Sequence, residues 1–139
     1  MDQKLTLIFL YHYVDQKMTW TDAQHYCRVK YTDLATFENM DDINRLKRPG
    51  LVTSPSWIGL TDDPKSWKGP LGNDTNSWRW SSTGETSKTA YQNWQPGFPN
   101  KYDANQLCGY VTGSRWWDDW DCHDTQHFVC FKGKKHFAL

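Results

Sequence analysis

The chain has 139 residues and 16.4 kDa, and its 16 basic and 16 acidic side chains give a formal net charge of zero. Nine Trp, seven Tyr and six Phe in a sequence of mean hydropathy −0.85 exclude intrinsic disorder, because disordered chains are poor in aromatics. No run approaches the about 20 apolar residues of a membrane span, and the balanced charge argues against a nucleic-acid binder, which would show a basic stripe.

Taken in order, Met1-Asp2-Gln3-Lys4 lacks the character of a secretory signal, so the chain reads as a mature domain with an added initiator Met. Leu5 to Val14 is β-rich and predicts a first strand. Thr21-Asp22-Ala23-Gln24 has the form of a capping box, and the helix it opens would set Ala23, Tyr26, Cys27 and Lys30 along one side. Asn39 would cap a second helix, with Met40, Ile43 and Leu46 at three-residue spacing and Pro49-Gly50 ending it. Beyond residue 50 the helical period disappears. Short aromatic strands are expected at Trp57-Ile58-Gly59-Leu60, Ser77 to Trp80, Leu107 to Thr112 and His127 to Phe131. Between them, Thr61 to Asn76 and Ser81 to Lys101 form long loops studded with Trp67, Trp94 and Phe98, which reads as ordered and functional. The order of strand, two helices and many strands predicts an α+β fold in one domain, 1–139, long enough to bury roughly two-thirds of its unfolded surface.

The four cysteines, Cys27, Cys108, Cys122 and Cys130, show no CxxC spacing, which argues against a zinc ribbon or a thioredoxin-like site. An even count in a small domain points to two disulfides and an oxidising compartment, with three pairings open. The sequon Asn73-Asp74-Thr75 is compatible with export. The tail Lys134 to Leu139 echoes the opening Gln3 to Leu7, as either a trace of tandem domains or a terminal strand.

Trp20 with Ala23 and Cys27, Trp57-Ile58-Gly59-Leu60, Trp94 to Asn100, Trp117-Asp118-Asp119 and Phe128-Val129-Cys130 together resemble the C-type lectin-like domain, in that family's order and from about Tyr11 to Cys130. Tyr31-Thr32-Asp33-Leu34-Ala35-Thr36 is most similar to fish members. The resemblance implies two helices, short antiparallel strands, a long ordered loop region and the pairing Cys27–Cys130 and Cys108–Cys122. By the chain-entropy estimate those bridges would contribute about 5 and about 3 kcal/mol.

It also implies a site at which calcium bridges protein oxygens to two sugar hydroxyls. By position, the metal ligands would be Asn100, Gln106, Asp118 and Asp119, with Phe98 and Trp120 beside the sugar. Phe98-Pro99-Asn100 departs from the family's pattern, since a phenyl ring cannot ligate, and Gln106 offers an amide where a carboxylate is usual. Asp118 restores one charge where Asn is the family's habit. Calcium takes about six to eight oxygens, so this set implies a weak site. Asp103 is read as a solvated loop residue more readily than as the missing acid, and Lys101 speaks against a second calcium.

Trp120 would serve equally as a stacking platform for the C–H face of galactose or as packing, while Trp116 is expected to pack at a core or strand edge. Asn100 is what mannose binders carry, but Phe98 breaks both sugar codes. The expectation is therefore a secreted, calcium-dependent lectin for glycans, galactose-type ahead of mannose-type. The alternative is a protein-binding domain of the same fold with a degenerate metal site. An ice-binding role fits poorly, because the fish members that have it carry more cysteines. A homodimer would help a weak monovalent site, though no residue specifies one. No catalytic constellation is recognisable, and adjacent acids on a strand point to opposite faces, so no enzyme is expected.

Overall fold

The computed structural model describes residues 4–37, 42, 55–62, 78–84, 94, 108–112 and 116–138, and of 4–9 and 134–138 the backbone. In chain order these form β1 (Lys4–Met18), α1 (Trp20–Lys30), β2 (Asp33–Leu34), β3 (Ser56–Asp62), β4 (Trp78–Trp80), β5 (Cys108–Val111), β6 (Trp117–Trp120) and β7 (Gln126–Ala138). They make a seven-stranded sheet in the order β1-β7-β3-β5-β6, with β2 added to β7 and β4 to β3. All pairs are antiparallel except β3 with β7. The α+β class is as expected.

β1 and β7 are longer than the strands read from sequence, at 15 and 13 residues. They pair from Lys4↔Ala138 to Val14↔Phe128, with a register shift before Met18↔Gln126. The tail that echoes the opening is thus a terminal strand lying beside it. Where the ribbon meets the body, the Tyr13 hydroxyl lies 2.7 Å from His127 Nδ1 and Asp15 lies 3.2 Å from Nε2, which packs His127 between strand and solvent.

The cap of α1 differs from expectation. Thr19, not Thr21, is the N-cap: its extended backbone turns into the helix, its hydroxyl accepts from Asp22 N–H at 3.3 Å, and its carbonyl accepts from Ala23 N–H at 2.9 Å. Gln24, expected to reach back as the second half of a capping box, donates across to Ser81 Oγ at 2.7 Å. Trp20, Ala23 and Cys27 are buried as the apolar face demands, whereas Lys30 is exposed and rests its ammonium over the Tyr26 ring. Tertiary bonds dock the helix: Trp20 Nε1–H donates to the Ile58 carbonyl at 2.8 Å, and Arg28 meets buried Asp33 at 3.0 Å. The second helix expected after Asn39 lies outside the described residues apart from Asp42, which is helical and buried.

Both disulfides have the pairing the resemblance implied, Cys27–Cys130 and Cys108–Cys122. Two apolar clusters form the core. One gathers Phe37, Ile58, Leu60, Trp78, Trp80, Val111, Trp117 and Val129, and the other surrounds the Cys27–Cys130 bridge with Trp20, Trp57 and Phe128. Gly59 lets β3 pass close beneath the chain at Ala35: a Cβ there would stand 2.9 Å from the Ala35 carbonyl oxygen, and the glycine N–H donates to that same oxygen.

Candidate functional site

The β5–β6 hairpin carries the described half of the site. Its register is Cys108↔Trp120, Gly109↔Asp119, Tyr110↔Asp118 and Val111↔Trp117. Gly109 permits the close approach of β5 to β3, since a Cβ there would lie 2.9 Å from that of Leu60. The Cys108–Cys122 bridge ties the far end of the hairpin, and Trp20 N–H donates to the Cys122 carbonyl at 3.2 Å, fastening it to the start of α1.

Trp117 orients the strand. Its buried ring meets Trp80 edge-on at 5.4 Å and Trp94 at 5.7 Å, and Trp94 also forms a parallel bridge to it. Trp117 is therefore part of the core, and Trp94, partly buried, packs against it. With that ring inward, strand alternation places Asp119 on the side of Trp117, and Asp118 on the other side with Trp120 and Tyr110.

Both carboxylates are buried, Asp119 completely. Asp118 accepts a hydrogen bond from the Tyr110 hydroxyl at 3.1 Å. Burial raises the Asp118 carboxyl above the usual range; the Tyr110 bond works against that rise and the Asp119 charge adds to it. Burial, and then the Asp118 charge, also push the Tyr110 phenol far up, so it stays a protonated donor. Trp120 is 42% exposed, with Nε1–H donating to the Asp124 carboxylate and its ring meeting Tyr110 edge-on at 6.5 Å. Trp116, expected to pack, is instead 40% exposed. The reason is the pleat: stepping by two from Trp120 and Asp118, it leaves the strand on the face away from Trp117. The His123 side chain stands in solvent and pairs with Asp121, whose carboxyl its backbone N–H, above all, holds below the ordinary value.

Phe98, Asn100 and Gln106 lie outside the described residues, as do Lys101 and Asp103. Among the described residues no three His, Cys, Asp or Glu side chains form a metal-holding group. The donors that are described are of the type a hard divalent ion takes: Asp118 and Asp119 each supply carboxylate oxygens, and the Asp119 charge reaches Asp118, whose carboxyl burial already destabilises. Tyr110 is the residue that sequence reasoning did not assign, while Trp116 is one it assigned to packing. Tyr110 was in principle accessible, two residues after Cys108 in a strand antiparallel to Trp117-Asp118-Asp119, but only the register reveals its partner.

The family model for the lectin C-type domain matches residues 16–132. L-selectin of Rattus norvegicus is 29% identical over 133 residues, covering 91% of this chain and 32% of that protein. The chain spans about a third of the length of the curated relatives it matches. Among solved structures, human lithostathine superposes with a TM-score of 0.69 at 27% identity, over 91% of this chain and 92% of that one. The cow C-type carbohydrate-recognition domain of CD23, solved in the presence of a GlcNAc2Man3 oligosaccharide, gives 0.69 at 25% identity over 94% and 89%. C-type lectin domains are non-enzymatic carbohydrate-binding modules that typically bind calcium. With five sequence motifs in order, both disulfides paired as expected, and a family model spanning most of its length, the chain belongs to the C-type lectin domain family.

Proposed function

We propose that this chain is a calcium-dependent, extracellular lectin that holds the terminal sugar of a glycan, galactose-type ahead of mannose-type. The observation that carries the reading is the grouping on β6: two buried neighbouring carboxylates, Asp118 and Asp119, beside a partly exposed indole fixed by Asp124. Calcium, when bound, would supply a cation to which two neighbouring sugar hydroxyls coordinate. Asp118 and Asp119, with Asn100 and Gln106, would hold it, and their remaining lone pairs would accept from the same hydroxyls. Tyr110 keeps Asp118 oriented by its hydrogen bond. Trp120 offers a face to the C–H side of the sugar, the contact that galactose makes best. Phe98 replaces a ligand with a ring, which weakens the metal site and adds apolar surface. The two disulfides fit an extracellular setting.

Phe98 and Gln106 favour one second reading, a protein-binding domain in which the metal site has degenerated. Inhibition of binding to a glycan-coated surface by free galactose, lactose and mannose, with and without a chelator, separates the two. Inhibition by galactose and lactose that disappears with chelation is expected. No response to any sugar would leave the protein-binding reading, and a response that survives chelation would keep the lectin while removing calcium from it.

A further inference from the structure

Trp116, Asp118 and Trp120 stand at two-residue steps, so all three leave β6 and its leading residue on the face shared with Tyr110. The Thr112 N–H donates to the Trp116 carbonyl at 2.9 Å, which carries the β5–β6 ladder one pair beyond Val111↔Trp117 and fixes Trp116 in the same pleat. Exposure along that line runs 40%, 6%, 42%: a recessed carboxylate between two open indoles. At a strand rise of about 3.3 Å per residue, the two indoles leave the backbone ~13 Å apart, more than one pyranose ring spans.

The surroundings select the occupant. A protein partner's apolar anchor would call for an interface centre depleted of charged residues, whereas here a carboxylate, Asp118, lies between the two rings. Asp121 follows Trp120 directly, and Asp124, four residues on, accepts the Trp120 indole N–H. Alternating rings and carboxylate oxygens match a chain of sugars, whose C–H faces stack and whose hydroxyls donate. The surface is also continuous with the sugar site, since Asp118 and Trp120 belong to both.

We infer that Trp116 is a second sugar platform, and that the ligand is a linear oligosaccharide lying along β6, its terminal unit at Trp120 and a later unit on Trp116. The inference rests on the lectin reading above and goes beyond it in naming the length of ligand and the residue that senses it.

Calorimetric titration of the calcium-saturated chain with galactose and with a linear galactose-terminated tetrasaccharide tests it, using wild type, Trp116→Ala and Trp116→Phe. The tetrasaccharide is expected to bind about tenfold more tightly than galactose, the upper end for one aromatic contact. Trp116→Ala should abolish that gain and leave galactose affinity unchanged, while Trp116→Phe should keep most of it. Equal affinities for the two sugars in wild type, a gain that survives Trp116→Ala, or a parallel loss for both sugars in that variant would each overturn the second platform while leaving the lectin standing. If neither sugar binds wild type, the galactose reading falls, and the platform with it.

Discussion

Asp118 sits where the chemistry is most finely balanced. Burial and then the Asp119 charge raise its carboxyl, and the Tyr110 hydroxyl works against them. In metal-free protein the folded state therefore holds a proton to higher pH than the unfolded chain does. The sign follows: stability declines as pH rises from the ordinary carboxylate value through the raised folded one, and levels off above it. Asp118→Asn should remove that decline, which urea midpoints measured in chelator across the acid range would reveal. Tyr110→Phe removes a hydrogen-bond donor to Asp118 and should lower calcium affinity about tenfold, the lesser effect expected of a residue orienting a ligand. A calcium titration followed by tryptophan fluorescence would measure it, and an unchanged curve would mean that Asp118 is held without its neighbour. Asp118 and Asp119 stood out in the sequence as candidates, because they follow a Trp in a short motif that resembles the family's. Tyr110 did not, since its role depends on which residue the facing strand sets opposite.

At the scale of elements, α1 illustrates how two local signals compete. Thr19 and Thr21 are both capping residues by type, and the box pattern favours Thr21 because Gln24 follows at the right distance. The fold assigns Gln24 to Ser81 and gives the cap to Thr19, one residue before the buried Trp20. Thr19→Ala should then cost about 1 kcal/mol in urea unfolding, whereas Thr21→Ala should stay within about 0.5 kcal/mol. Equal effects would mean that the helix start is not set by Thr19. The hairpin shows the same lesson for Trp116. Its neighbour Trp117 is core by motif, and composition offers no way to tell two adjacent indoles apart. The pleat does, by burying one and leaving the next 40% exposed.

Across the whole molecule the two disulfides have different duties. Cys27–Cys130 joins α1 to β7 across a sequence separation of 103, and Cys108–Cys122 closes a separation of 14 around β6. Replacing the first pair by Ala should destabilise the chain by about 4–5 kcal/mol, a large share of the stability of a domain this size. Replacing the second should cost about 3 kcal/mol and, with the far end of the hairpin released, weaken sugar binding in chain that remains folded. Denaturation midpoints alongside glycan binding would distinguish the two effects. A Cys108→Ala/Cys122→Ala protein with full affinity would show that β5 pairing alone orients Asp119 and Trp120.

The sequence by itself determined the fold class and, through motifs that resemble a known family, the family and the cysteine pairing. Those properties are written locally, in motif order and in residues whose chemistry admits few uses. The tertiary structure decided the helix cap, the burial of Asp118 and Asp119, the donor that Tyr110 supplies and the exposure of Trp116. Each of these depends on which residues distant in the chain come to face one another across a sheet, and a periodicity read along one strand carries no information about its neighbour.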